Sequence, residues 1–210
     1  MDRLHQIAIL NPEWAVTISE FVTKYPEFKK YLYLAPISPV IRMHIPEIKT
    51  LFECLIWYVC QAGVKYDYAE TQLYIILPLI KHTNWDIILQ NLISLNTNTN
   101  IQAKKRKIYF DIANYMQSHN ITHDTITIAD LVDMSRRKIG VGESCVGFCK
   151  CRFSNDNDGV EFTDMYFVRA YKKIYGTDNK ISIKATVDDW KANGFGRIGN
   201  MMMFQIHHYS

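Results

Sequence analysis

The residues best equipped for chemistry fall in two neighbouring stretches, SRRKIGVGESCVGFCKC at 135–151 and FTDMYFVRAYKKIYG at 162–176. In the first, Arg136, Arg137 and Lys138 run into Gly140-Val141-Gly142 and then at once into small and apolar residues. Glycine permits torsions that other residues resist, and without a side chain it lets a second molecule approach the main chain. If a helix starts near Gly142, its first N–H groups lack partners and point outward with the positive end of the dipole, an arrangement suited to phosphate. The basic run adds Coulomb attraction for a nucleic-acid backbone. The same residues also suit an ordinary helix-turn-helix corner with solvated charges. In the second stretch Asp164 stands near a helix start, with Arg169 five residues on. A carboxylate there can stabilise a cationic transition state and orient or deprotonate water. It can equally cap the helix.

Period-3.6 patterning must position these residues, and strand-like alternation is scarce, so the expected class is all-α. Helices are predicted from Asn11 to about Leu32, at 47–60, 66–77 (ended by Pro78), 84–95, 101–118 and from about Thr127 to Lys138. Others follow from Gly142 to about Phe153, at 163–175, and at 187–208 with a break near Gly194–Gly199. Residues 33–46, 96–100, 154–160 and 176–186 read as connections. The run Lys104-Lys105-Arg106-Lys107 sits at a helix start, where positive charge opposes the dipole. That conflict favours a ligand over a purely solvated face and makes Lys104 and Lys105 candidate phosphate contacts.

The chain has 210 residues, 48% hydrophobic and 21% charged, which describes a globular protein rather than a disordered one. Its net charge of +3 is too small to prove a polyanion partner, so charge placement matters more. No signal peptide or span long enough for a bilayer is read, and five cysteines point to reduced thiols in an intracellular protein. Cys145, Cys149 and Cys151 lack zinc-site spacing, and no acid cluster accompanies His119 and His123.

Together these residues resemble the helix-hairpin-helix DNA glycosylase superfamily, which includes endonuclease III and 3-methyladenine DNA glycosylase II. The family's hairpin reads Leu-Pro-Gly-Val-Gly, with a catalytic aspartate about 20 residues later. Here it reads Lys138-Ile139-Gly140-Val141-Gly142, and Asp164 follows Gly142 by 22 positions. FECLIWYVCQAGV (52–64) is similar to the family's first core helix, IQAKKRKIYFDIANYM (101–116) to its Lys-Ala segment, and DDWKANGFGRIGNMMMFQIHHY (188–209) to its closing helix. The chain departs from the pattern at Lys138-Ile139, in the imperfect match of Gln61 to the family's turn glutamine, and in lacking the four-cysteine iron–sulfur loop.

The resemblance implies a single two-lobed all-α domain (one lobe 1–62 plus 165–210, the other 63–164) with the hairpin and an active-site cleft between lobes. It implies a monomeric, intracellular base-excision enzyme acting on double-stranded DNA. A damaged base, an alkylated purine by preference, would be flipped out, and the N-glycosidic bond hydrolysed with Asp164 stabilising the oxocarbenium ion. Ser144 occupies the position of the lyase lysine, so the implied enzyme is monofunctional. DNA contacts would come from Arg136, Arg137, Lys138, Gly140, Val141, Gly142, Lys104 and Lys105. The base pocket or wedge would come from Trp57, Tyr58, Gln61, Tyr66 and Trp190, although such aromatics suit core packing as well. No cofactor is implied beyond a structural Na⁺ or K⁺ held by the carbonyls of Arg136, Lys138 and Val141. Two alternatives stay open. One is a non-catalytic DNA-binding protein on the same fold; the other is a helical protein-interaction module.

Overall fold

A computed structural model describes residues 2–39, 48–82, 84–94, 101–154 and 159–210. The connection expected at 96–100 lies outside these residues, as do parts of those at 33–46 and 154–160. The described chain is helical, without a strand among the described residues. The α-helices are α1 (Arg3–Leu10), α2 (Pro12–Lys24), α3 (Leu51–Gln61), α4 (Tyr66–Ile80), α5 (Trp85–Ser94) and α6 (Ala103–Ser118). They continue with α7 (Ile128–Arg136), α8 (Glu143–Cys149), α9 (Met165–Tyr175), α10 (Lys180–Ala192) and α11 (Gly196–Tyr209). A 3₁₀ helix spans Pro26–Leu34, and a π turn spans Lys150–Ser154. Among the described residues no helix is long and apolar enough to cross a membrane.

The chain divides into two compact units, one of Met1–Arg42 with Lys150–Ser210 and the other of Met43–Cys149. The sequence-based division placed residues 51–61 with the chain ends; contacts group them with the middle of the chain.

The middle unit is organised by α3, which packs on α4, α6 and α8. Nearly all of its side chains are buried, so it is apolar all round rather than amphipathic. Its start is fixed by a reciprocal capping box in which Thr50 accepts from the Glu53 N–H and Glu53 accepts from Thr50. Glu53 is itself buried, and it also accepts from the Lys49 N–H at 2.5 Å and pairs with Lys81. Burial opposes its ionisation, but the Lys81 ammonium and the two backbone donors win and hold the carboxyl below its usual range.

The other unit is organised by α11, packed against α2, α9, α10 and the 3₁₀ helix. Its centre is the fully buried Trp190, ringed by Phe21, Tyr25, Phe28 and Phe167. Gly199 lies so close beneath this indole that an added Cβ would overlap its six-membered ring. One polar knot is buried here. Arg152 pairs with Glu161 at 3.2 Å, while the Asn200 side-chain carbonyl accepts from the Glu161 N–H at 2.9 Å and the Tyr166 hydroxyl at 3.1 Å.

The helix boundaries differ from the sequence reading for local reasons. Pro26 pushes Tyr25 out of the helical region and divides the long helix expected from Asn11. Asn11 holds the N-cap position of α2, but its side chain makes no cap bond and its amide donates to the Ile37 carbonyl. α4 continues past Pro78, which has no backbone N–H to give to the helix. The apolar period does not mark α1, which is short, or the first half of α10, where Ile181 is exposed.

Replacing Glu53 by glutamine should lower stability by about 1–3 kcal/mol at neutral pH, read by urea unfolding. The contribution of the ionised carboxylate is fully present above the usual carboxylate range and is lost as pH falls through the lowered folded value. The gap between wild type and Glu53→Gln should therefore close on acidification; a gap independent of pH would mean that shape, not charge, matters here.

Candidate functional site

Helix α7 is opened by a second capping box, Thr127 with Asp130, and closed by a loop that reaches α8 in six residues, 137–142. The closure is a complete Schellman motif. The Lys138 N–H bonds to the Ser135 carbonyl and the Ile139 N–H to the Met134 carbonyl, both at 3.1 Å. The motif requires a left-handed residue, and Lys138 supplies it at φ 57° where glycine is usual.

The two glycines of the loop have different jobs. Gly140 has φ 70°, and a Cβ there would stand 2.6 Å from Cγ1 of Ile108 on α6. It is a packing glycine that lets the loop lie against α6. Gly142 has no atom within 4 Å of its notional Cβ, so the fold itself makes no demand for glycine at this position. Between them Val141 is buried. Arg136, Arg137 and Lys138 are exposed, and so is Gly142. Part of the clustering is explained by the C-terminus of α7, whose dipole favours nearby cations.

Arg137 is oriented by an arrangement the sequence did not announce. Its Nε donates to Asp133 Oδ2 at 2.7 Å, and the Tyr115 hydroxyl donates to the same oxygen at 2.7 Å. The guanidinium lies 5.9 Å from the Tyr115 ring centroid. Burial, then the bond to Asp133, pushes the Tyr115 hydroxyl up to about 12, whereas the bond from Tyr115 and the pair with Arg137 hold the Asp133 carboxyl below its usual range. The tyrosine is therefore a neutral donor and Asp133 an anion at neutral pH. The i,i+4 spacing of Asp133 and Arg137 was legible; the arrival of Tyr115 from α6 was not.

Asp164 is the N-cap of α9, half-buried, and its Oδ1 accepts from the Tyr166 N–H at 3.1 Å. Its own N–H bonds to the carbonyl of Glu161, the buried acid of the polar knot. Arg169 is exposed on α9.

No family model, no curated protein and no solved structure matches the chain.

Several expected site residues are placed otherwise. Lys105 is not a surface cation: it is buried, and its ammonium donates to the Cys60 carbonyl at 2.7 Å and Gln72 Oε1 at 3.3 Å. Burial lowers its pKa, and it has no reach to a phosphate. Lys104 is exposed on the first turn of α6. Trp57 is filled-in core of the middle unit, and Trp190 is the core of the other, so neither offers a face to a flipped base. Tyr58 is half-buried with its ring 5.2 Å from Phe148. Gln61 is half-buried at the last position of α3. The side chain of Tyr66 lies outside the described residues. Ser144, on the first turn of α8, has its hydroxyl buried with no hydrogen bond among the described residues.

The N–H groups of Arg137, Lys138 and Ile139 bond to the carbonyls of Asp133, Ser135 and Met134, and the Gly142 carbonyl accepts from Cys145 and Val146 at the start of α8. Among the described residues no group of three or more His, Cys, Asp or Glu side chains is placed to hold a metal ion.

The loop generates a paired test. Gly140→Ala should destabilise by at least about 1–2 kcal/mol, because it forces alanine into the left-handed region and against Ile108. Gly142→Ala should fold as well as wild type. Lys138→Gly should gain about 1 kcal/mol by removing the strain of a left-handed lysine. Equal destabilisation by the two alanine variants in thermal melts would defeat the division of roles.

Proposed function

We propose that the protein binds the sugar-phosphate backbone of duplex DNA through residues 136–142, acting as a helix-hairpin-helix element. The observation that supports this reading best is the pairing of three exposed cations with the uncrowded main chain at Gly142, in a loop held from behind by Gly140. Helix-terminus electrostatics would explain the cations alone, but not a glycine that the fold does not require. A monovalent cation on the carbonyls of Arg136, Lys138 and Val141 would add one positive charge where a phosphate approaches.

Base excision is the second reading. It is favoured by the half-buried carboxylate of Asp164, held in one orientation by its cap bond. In that reading Asp164 stabilises the oxocarbenium ion, water is the attacking group, and Ser144 leaves the enzyme without a Schiff-base amine. An alkylated purine is the favoured base. The cap explains Asp164 without any chemistry, so binding is the function the geometry supports better.

Binding is tested by fluorescence anisotropy with a labelled undamaged duplex across a salt series. The logarithm of affinity should fall linearly with the logarithm of salt, and Arg136→Ala should reduce that slope by about 0.9 for each phosphate contact removed. Gly142→Ala should weaken binding while leaving the melting temperature unchanged. Affinity indifferent to salt and to these changes would sink the proposal.

Excision is tested on duplexes carrying hypoxanthine, ethenoadenine, 7-methylguanine, uracil or 8-oxoguanine, followed by hot alkali. Asp164→Asn is the informative variant because asparagine caps a helix as well as aspartate does. Alkali-dependent cleavage lost in Asp164→Asn would establish the enzyme; intact DNA with every lesion would leave a binding protein.

A further inference from the structure

Beside the hairpin, on the middle unit, lies an open groove of about 690 Å³ between the C-terminal half of α6 and the loop after α7. That is within the range of small-ligand sites. Asn114, Tyr115 and His119 form one wall, and Arg137, Lys138 and Ile139 form the other. The His119 ring is stacked on Tyr115 with centroids 4.1 Å apart and planes 21° apart. Its orientation is fixed from the other edge, because Nδ1 lies 2.8 Å from the Tyr115 carbonyl and 2.9 Å from the Ser118 hydroxyl. Tyr115 is buried beneath, whereas His119 is exposed. The result is a pre-stacked aromatic platform facing a wall that carries two cations.

We infer that this groove holds one nucleotide, with its base on the outer face of His119 and its phosphate against Arg137 and Lys138. The inference rests on the DNA-binding reading above and extends it from backbone contact to base contact. Three observations carry it. First, stacking on an aromatic face is how proteins hold an unpaired base without reading its sequence. A histidine already stacked on a buried tyrosine offers such a face with its orientation set. Second, Arg137 is pinned through Nε to Asp133, so its place at the groove does not depend on ligand. Third, Lys138 keeps a lysine in a left-handed position where glycine would fit with less strain, and a strained residue kept at the edge of a cavity is a reason to look for a ligand.

The carboxylates at and beside the groove are each paired with a cation. Asp111 is paired with Lys107 at 2.6 Å, and Asp133 is shared by Tyr115 and Arg137. Both α6 and α7 end here, and helix C-termini repel anions. However, both are closed by Schellman bonds. Those of α6 run from the Asn120 N–H to the Gln117 carbonyl at 3.2 Å and from the Ile121 N–H to the Met116 carbonyl at 2.9 Å. Two carbonyls at the end of each helix are thereby occupied.

A nucleotide could come from a single strand or from the free pool, and the test separates them. Anisotropy would be measured with a labelled oligothymidylate, with the same strand carrying abasic tetrahydrofuran units, and with the labelled duplex. Thymidine 5′-monophosphate would be added as competitor. Wild type should prefer the thymidylate strand over the abasic one. His119→Ala should lose about tenfold on thymidylate and nothing on the abasic strand. Lys138→Gly should weaken both strands, its melting temperature showing that the fold is intact. Competition by the mononucleotide that His119→Ala abolishes, without strand binding, would assign the site to free nucleotides. If duplex binding persists while His119→Ala matches wild type on every ligand, the groove is not a nucleotide site although the DNA reading stands. If neither duplex, strand nor mononucleotide binds, both readings fall.

Discussion

The approach of the 137–142 loop to α6 governs what this protein can offer a partner. Gly140 permits it: with no Cβ and a left-handed backbone, it lets the loop settle onto Ile108 at a separation no other residue allows. Once the loop lies there, Val141 is buried and the cations on its preceding turn are left outside. The same approach brings Asp133 and Arg137 within reach of Tyr115, so the hydrogen-bonded triad and the groove wall follow from one packing contact. The second glycine has no part in this, which is why the pair cannot be understood as a single flexible hinge.

Buried charge is handled in each unit by a different device. In the middle unit Glu53 is neutralised at a helix start, where backbone donors and Lys81 converge on one carboxylate, and Lys105 spends its ammonium on the end of α3 and on Gln72. In the other unit Arg152 and Glu161 pair inside a knot completed by Asn200, Tyr166 and Cys151. Burial raises the Glu161 carboxyl and Arg152 opposes that rise. Such pairs are weak sources of net stability but severe to break, since removing one partner strands the other in a dry interior. Each ties together separate segments of its unit: Glu53 to Lys81, Lys105 to Cys60 and Gln72, and Glu161 to Arg152 and Asn200.

Much of the helical pattern could be read directly, because α6 and α9 carry apolar positions at period 3.6 and α3 is apolar along almost all of its length. The turn between α7 and α8 was legible too, from the glycine spacing and the basic run. What failed was the inference from charge to surface. Lys105 looks like one member of a solvated run, yet it lies four residues after Ile101 and four before Tyr109, both buried. The register that puts it inside was present in the sequence, but hidden by its own charge. Trp57 and Trp190 failed for the converse reason. An aromatic suited to a base is also suited to a core, and only the surrounding packing, such as Gly199 beneath Trp190, decides between them. The groove was invisible because His119 and Tyr115 acquire meaning only when the distant loop is laid beside them.

Capping and catalysis are usually set against each other as explanations of a helix-start aspartate, but at Asp164 they need not compete. The cap bond from the Tyr166 N–H uses Oδ1 and fixes the carboxylate's orientation. A carboxylate held in this way loses little further entropy on meeting a cationic centre, which is the property electrostatic catalysis requires. Its surroundings add a second constraint. Glu161 lies three residues away behind it, and the Asp164 charge contributes, after burial, to the rise of the Glu161 carboxyl. The two acids therefore resist sharing charge, and Arg152 takes up the inner one. Asp164 is left as the half-exposed member of the pair, the one that solvent or a substrate can reach. A helix cap accounts for the bond to the Tyr166 N–H, and in the base-excision reading the half-exposed oxygen left over is the one a cationic centre would meet.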